Sequence, residues 1–212
     1  MARRLPIYLL LDVSGSMAGE PIAAVQNGVQ TMVNSLLSDP QAIETVYASV
    51  ITFSNSAKQI VPLTELPSFK LPQLTAGGMT SLGEALTLVA QCIDREVIKN
   101  TPEVKGDFKP LVFILTDGCA TDDVEKGLED FHKKKFGRVI ACGAGSNADT
   151  KELLKITETV VTLDTVETGH LQQFFKWASA SVVLTTVSIQ SENAKKFSSD
   201  QLPPPPPEIH FL

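Results

Sequence analysis

Apolar and polar positions along the chain switch between a period near two and a period near 3.6. Residues 6–12 form a continuous apolar run closed by Asp12, the pattern of a parallel strand covered on both faces. Val25, Val29, Met32, Val33 and Leu36 recur at helical spacing and share one face of a helix opening near Glu20-Pro21, where proline suits the first turn. Residues 45–53 (TVYASVITF) read as a β-branched strand and residues 58–63 as a shorter one. Asn55-Ser56 makes the turn between them, which predicts a hairpin with an antiparallel strand at the sheet edge.

After a proline-rich loop over residues 66–78, helix periodicity returns at Leu82, Ala85, Leu86, Val89 and Ile93. Residues 109–117 (KPLVFILTD) form a second buried strand, again ending in an aspartate. Val124, Leu128 and Phe131 mark a helix, residues 137–142 a strand, 151–156 a short helix and 160–163 a short strand. Leu171, Phe174, Phe175, Ala178 and Val182 trace a final helix. This order predicts an α/β fold. It is a doubly wound, mostly parallel sheet with one antiparallel edge strand and helices on both faces.

Beyond Ser188 the chain turns polar, and Pro203 to Pro207 must run as extended polyproline II. The folded domain is therefore expected over residues 1–188, with a polar, proline-rich tail over residues 189–212. Removal of residues 191–212 is expected to leave the melting temperature nearly unchanged. A docking peptide ending in Ile209-His210-Phe211-Leu212 is the alternative use of the tail.

Composition narrows the function. Of 212 residues, 43% are hydrophobic and 20% charged, which excludes a wholly disordered chain. No apolar run approaches the roughly 18 residues that span a bilayer. Arg3-Arg4 before Leu5 to Leu11 imitates a secretory signal, but Pro6 and Asp12 break the stretch and no cleavage site follows. A cytoplasmic location is expected. The balance of 18 basic against 24 acidic residues, a net charge of -6, favours metal ions or cationic partners over nucleic acid. The one dense basic run, Lys133-Lys134-Lys135, reads as a solvated helix end. Cys92, Cys119 and Cys142 form no CxxC pair, so neither a disulfide framework nor a zinc site is expected, and a reducing compartment suits them.

In open α/β sheets, ligands bind outside the carboxyl ends of the strands. There the chain carries Asp12, Ser14 and Ser16 after the first strand, Asp117 after the strand ending at Leu115, and Thr80 before the helix at Leu82. All five donors are oxygens. Two carboxylates and three hydroxyls suit Mg²⁺ or Mn²⁺, with Ca²⁺ as a further hard cation, and do not suit zinc. Capping of helices and turns is the plainer use of such residues, but it does not account for five oxygens at adjacent strand ends.

This constellation resembles the metal-ion-dependent adhesion site of von Willebrand factor type A domains. The match comprises DxSxS as Asp12-Ser14-Ser16, the loop threonine as Thr80 in GGMTSLGEAL, and the aspartate as Asp117 in ILTDG. It covers about residues 5–185. The resemblance implies that Ser14 and Ser16 touch the metal directly and that Asp12 acts mainly through water. Thr80 or Asp117 exchanges direct and water-mediated contact, and the sixth position takes an Asp or Glu of a protein partner. Within the family, the short compact chain is similar to the tellurium-resistance proteins of the TerY type. That implies a bacterial stress-response system with a kinase or a metal-dependent phosphatase as partner.

Enzymatic readings lack their residues. A haloacid-dehalogenase-type phosphatase needs a carboxylate where this chain has Ser14. A serine hydrolase needs a nucleophile elbow and a histidine, whereas His132, His170 and His210 fall in a helix, at a helix start and in the tail. The remaining alternative is a nucleotide-binding regulatory domain. Gly143 to Ala148 fits G-x-G-x-x-A after a strand, and Asp164 follows near the end of another.

Overall fold

The computed structural model describes residues 3–190 and 202–212. The apolar runs become strands β1 (Leu5–Asp12), β2 (Val46–Phe53), β3 (Ala57–Glu65), β4 (Leu111–Thr116), β5 (Arg138–Ala144), β6 (Val160–Leu163) and β7 (Ile209–Phe211). They form one sheet in the order β3-β2-β1-β4-β5-β6-β7. The helices are α1 (Glu20–Leu36), α2 (Pro40–Thr45), α3 (Leu82–Glu96), α4 (Val124–His132), α5 (Thr150–Ile156) and α6 (Thr168–Gln190). The expected mostly parallel α/β sheet with an antiparallel edge at β3 is present.

β1 is buried along its whole length and pairs in parallel with β2 and β4. Alternation along the strand divides the core into two layers. Leu5, Ile7, Leu9 and Leu11 join the layer that contains Val25, Val29, Phe174 and Phe175 of α1 and α6. Tyr8 and Leu10 join the layer that contains Leu86 and Val89 of α3 and Leu128 of α4. The register Leu11↔Leu115 sets Asp12 beside Thr116, so the carboxyl ends of β1 and β4 finish together.

On the second layer, α3 and α4 approach closely. A Cβ on either Gly83 or Gly127 would collide with the facing backbone. This approach fixes the loop before α3 against the loop before α4. The short helix α2 was not expected. Its six residues are too few to show periodicity, although Asp39 before Pro40 caps it by accepting from Ala42 N at 2.8 Å.

The expected tail contributes a strand. β7 pairs antiparallel with β6 through Leu163↔Ile209 and Val161↔Phe211, making a second antiparallel edge. Ile209 is buried, Trp177 Nε1 donates to Pro203 O at 2.8 Å, and the rings of Trp177 and Phe211 meet edge-on at 5.7 Å. Composition misled here because the prolines cannot pair, yet they deliver Ile209 to the otherwise open edge of β6. Residues 191–201 of the expected tail lie outside the described residues.

This docking reverses the expectation for truncation. Removal of residues 191–212 should lower the melting temperature by several degrees in a thermal unfolding scan. Ile209→Ala alone should cost about 2–4 kcal/mol, as other large-to-small changes at buried sites do. An unchanged melting temperature in both variants would show that β7 contributes nothing to stability in solution.

Candidate metal centre

The first loop of the site begins on a buried charge. Asp12 has no solvent exposure; Oδ1 accepts from Ser14 N at 2.8 Å and Oδ2 from the Thr116 hydroxyl at 2.6 Å. The carboxylate thus lies wholly inside the protein although it closes the strand at the end where ligands bind. Desolvation pushes the Asp12 carboxyl above the usual carboxylate range, hydrogen bonds from Ser14 and Thr116 partly offset that, and the charge of Asp117 adds to the rise.

From Asp12 a line of oxygens runs outward. The buried Ser14 hydroxyl lies 3.0 Å from the Ser16 hydroxyl, and exposed Ser16 donates to Asp117 Oδ1 at 2.8 Å. The chain reaches this conformation through a short 3₁₀ turn over Gly15–Met17, anchored underneath by fully buried Met17. Two backbone hydrogen bonds tie this loop to the next. Gly15 N donates to Gly78 O at 3.0 Å and Gly77 N to Val13 O at 2.8 Å. Gly78 has a φ of 86°, a conformation that favours glycine, and a Cβ there would displace the Asn55 side chain, whose Oδ1 would stand 2.5 Å away.

Thr80 follows on this loop and is buried. Its backbone exchanges two hydrogen bonds with Thr121, N to Oγ1 at 3.0 Å and O from Thr121 N at 2.9 Å. Its hydroxyl makes no hydrogen bond to the described residues. The structure thus links Asp12, Ser14, Ser16 and Asp117 through hydrogen bonds and places Thr80 on the loop whose Gly77 and Gly78 bond to Val13 and Gly15.

The geometry suits a hard divalent ion. Adjacent ligands of an octahedral ion bound at about 2.0–2.1 Å stand about 2.8–3.0 Å apart. The spacings from Ser14 to Ser16 and from Ser16 to Asp117 are 3.0 and 2.8 Å. Both oxygens of Asp12 already accept hydrogen bonds, which suits contact through water. Among the described residues no three His, Cys, Asp or Glu side chains group as a metal site, and the candidate centre combines two carboxylates with three hydroxyls. Beside Ser16 and Asp117 a cavity of about 370 Å³ extends to Gly145, Asn147 and Asp164.

Supporting residues escaped the sequence analysis. Thr116 holds the inner carboxylate, Thr121 holds the backbone of Thr80, and Asn55 Oδ1 accepts from Met79 N at 3.0 Å. Asp122 accepts from Gly83 N and Glu84 N at 3.0 and 2.8 Å and so caps α3. The one usable signal was the position of Thr116 immediately before Asp117 at the strand end.

The nucleotide alternative gains nothing from the geometry. The N-terminus of α5 is capped by Asp149, which accepts from Lys151 N and Glu152 N at 3.0 and 3.2 Å. The donors that a phosphate would need already hold an anion. The histidines bond elsewhere: His132 near Ile156 O, His170 to Thr165 and His210 to Asp164.

Because the Asp12 pKa is raised, the ionised carboxylate costs stability above its folded-state pKa, and that cost disappears as pH falls through it. Asp12→Asn keeps the size and can keep both hydrogen bonds. The metal-free variant should melt above the parent at neutral pH, and the difference should vanish on acidification. Titration calorimetry should show its divalent-ion binding lost. A lower melting temperature at neutral pH would contradict this account.

The family model of the von Willebrand factor type A domain matches residues 7–177. An uncharacterised protein of Synechocystis sp. is 32% identical over 123 residues, covering 55% of this chain and 26% of that protein. The chain thus spans about a quarter of this curated relative. The pilus adhesin SpaC of Lactobacillus rhamnosus GG superposes with a TM-score of 0.68 at 13% identity, over 87% of this chain and 31% of the adhesin. Proximal thread matrix protein 1 of the mussel byssus has a TM-score of 0.62 at 20% identity, over 84% of this chain and 48% of its own. In a further structure of that protein, with a TM-score of 0.53 at 20% identity over 84% of this chain and 46% of its own, zinc occupies the metal-ion-dependent adhesion motif. At these identities the structures share the fold. With the family model matching most of the folded chain, the protein belongs to the von Willebrand factor type A domain family.

Proposed function

We propose that this chain is a non-catalytic protein-binding module that works through a divalent ion. Ser14 and Ser16 bind the ion directly, Thr80 or Asp117 alternates between direct and water-mediated contact, and Asp12 acts through water. The remaining position takes an Asp or Glu of a protein partner. The carrying observation is the continuous oxygen line from buried Ser14 through exposed Ser16 to the buried Asp117, at ligand spacing and beside a solvent-open cavity.

A divalent ion largely neutralises the two carboxylates and still favours an incoming anion, so a partner carboxylate gains a charge-assisted link. Mg²⁺ fits the hard oxygen set, and Mn²⁺ and Ca²⁺ share its chemistry. The zinc-occupied motif of the mussel byssus protein supports divalent binding at such a site.

The narrower setting is a cytoplasmic tellurite-resistance or stress-response system of bacteria, with a kinase or metal-dependent phosphatase as partner. It is the setting that the likeness to tellurium-resistance proteins of the TerY type implies. Cys92, Cys119 and Cys142 are all free thiols, which suits a reducing compartment. No helix of the described residues is long and apolar enough to cross a membrane.

Capture of partners from host lysate with and without Mg²⁺ tests this reading. The partner should be retained with Mg²⁺ and released by EDTA, and one acidic residue of the partner should dominate the affinity. Thr80→Ala should weaken the complex more than it weakens the bare metal site if threonine is the ligand that joins the inner shell only when the partner is bound. Equal losses in the two titrations would contradict that coupling. Undiminished binding in excess EDTA would remove the metal from the mechanism.

A further inference from the structure

At the end of the sheet opposite the candidate metal centre lies a cavity of about 500 Å³, within the roughly 300–1,000 Å³ typical of ligand sites. It is formed where α3 ends, where Lys133-Lys134-Lys135 follow α4, and where residues 97–110 lead into β4. Its floor is apolar, with Ile93, Val97 and Pro110, and Ile98 is 52% exposed. Its rim carries five lysines: Lys99, Lys109, Lys133, Lys134 and Lys135.

The carboxylates along this wall are already committed. Asp107 pairs with Arg4 and accepts from Ile98 N at 2.8 Å, and Asp94 is shared between Lys99 and Lys134. Lys133 pairs with Asp130 at 3.0 Å. Lys109 and Lys135 are exposed and have no ion-pair partner among the described residues. The result is a local surplus of positive charge on a chain with a net charge of -6.

The wall is also set in place rather than loosely draped. Asp107 N donates to Ile98 O at 2.9 Å, Phe108 N to Arg4 O at 2.9 Å, and Gly106 N to Asn100 Oδ1 at 2.8 Å. A preformed site loses less ordering entropy when a ligand binds.

We propose that this cavity docks an acidic peptide segment in which Asp or Glu side chains flank an apolar one. The apolar side chain covers Ile98 and the floor, and the carboxylates meet Lys109 and Lys135. Nucleic acid fits less well. Single strands stack successive bases on several aromatic rings, and Phe108 is the one aromatic among the described residues lining this cavity. The site is separate from the metal centre and does not depend on it.

The test uses the full chain and three fluorescent probes in anisotropy titrations: a dodecapeptide alternating Glu and Leu, one alternating Glu and Ser, and a twelve-nucleotide RNA. The Glu-Leu peptide should bind best and should be insensitive to EDTA. Lys109→Glu combined with Lys135→Glu should weaken it about tenfold or more, as expected for losing two close charge pairs. Ile98→Ser should weaken the Glu-Leu peptide and leave the Glu-Ser peptide unchanged. Equal binding of the two peptides, tighter binding of RNA, loss in EDTA, or indifference to the lysine changes would each overturn the proposal. Circular dichroism of the variants excludes unfolding as the cause of a loss.

Discussion

The arrangement of the site depends on one buried carboxylate. Asp12 ends the central strand with no exposure, where an ion without partners would cost several kcal/mol. Hydrogen bonds from Ser14 N and the Thr116 hydroxyl offset part of that cost. The first donor is local, two residues on in the chain, and the second exists because of parallel pairing: β1 and β4 lie in register, so the residue after Leu115 faces Asp12. The same hydrogen bond to Ser14 N bends the chain away from the sheet and starts the 3₁₀ turn that presents Ser16 to solvent. The folded state thus carries an incompletely compensated negative charge beneath three hydroxyls, an arrangement that a divalent cation would stabilise.

Holding this arrangement requires the neighbouring loops to stay in place. Backbone hydrogen bonds from Gly15 and Gly77 tie two loop segments together, and the positive φ of Gly78 favours glycine at that turn. Contact between α3 and α4 through Gly83 and Gly127 sets Thr121 against Thr80. The consequence is a site built before any ligand arrives, with Ser16 and Asp117 at its open side. Such preorganisation favours a metal-bridged contact with a single partner carboxylate.

The parts legible in the sequence were those with strong local signals. Continuous apolar runs closed by Asp12 and Asp117 marked two central strands, and their shared ends placed the candidate ligands. Asn55-Ser56 marked the hairpin. The burial of Asp12 was not legible, because it follows from the register of β1 against β4 rather than from any neighbour in sequence. The same reason hides the roles of Thr116 and Thr121. Strand β7 was masked by polyproline composition, since its stability comes from Trp177 and the edge of β6, both distant in sequence. The basic run at residues 133–135 likewise looked like a solvated helix end. Its setting beside Lys99, Lys109 and an apolar floor emerges once α3 and α4 are packed.

The central claim is that the hydroxyls of Ser14 and Ser16, with the carboxylates of Asp12 and Asp117, form the shell of a divalent ion. A crystal structure of the protein grown with Mn²⁺, with anomalous data collected at the manganese edge, tests it most directly. The account predicts one strong peak within ligand distance of both serine hydroxyls, with Asp12 reached through a water molecule. A peak elsewhere on the molecule, or none at saturating Mn²⁺, would contradict it.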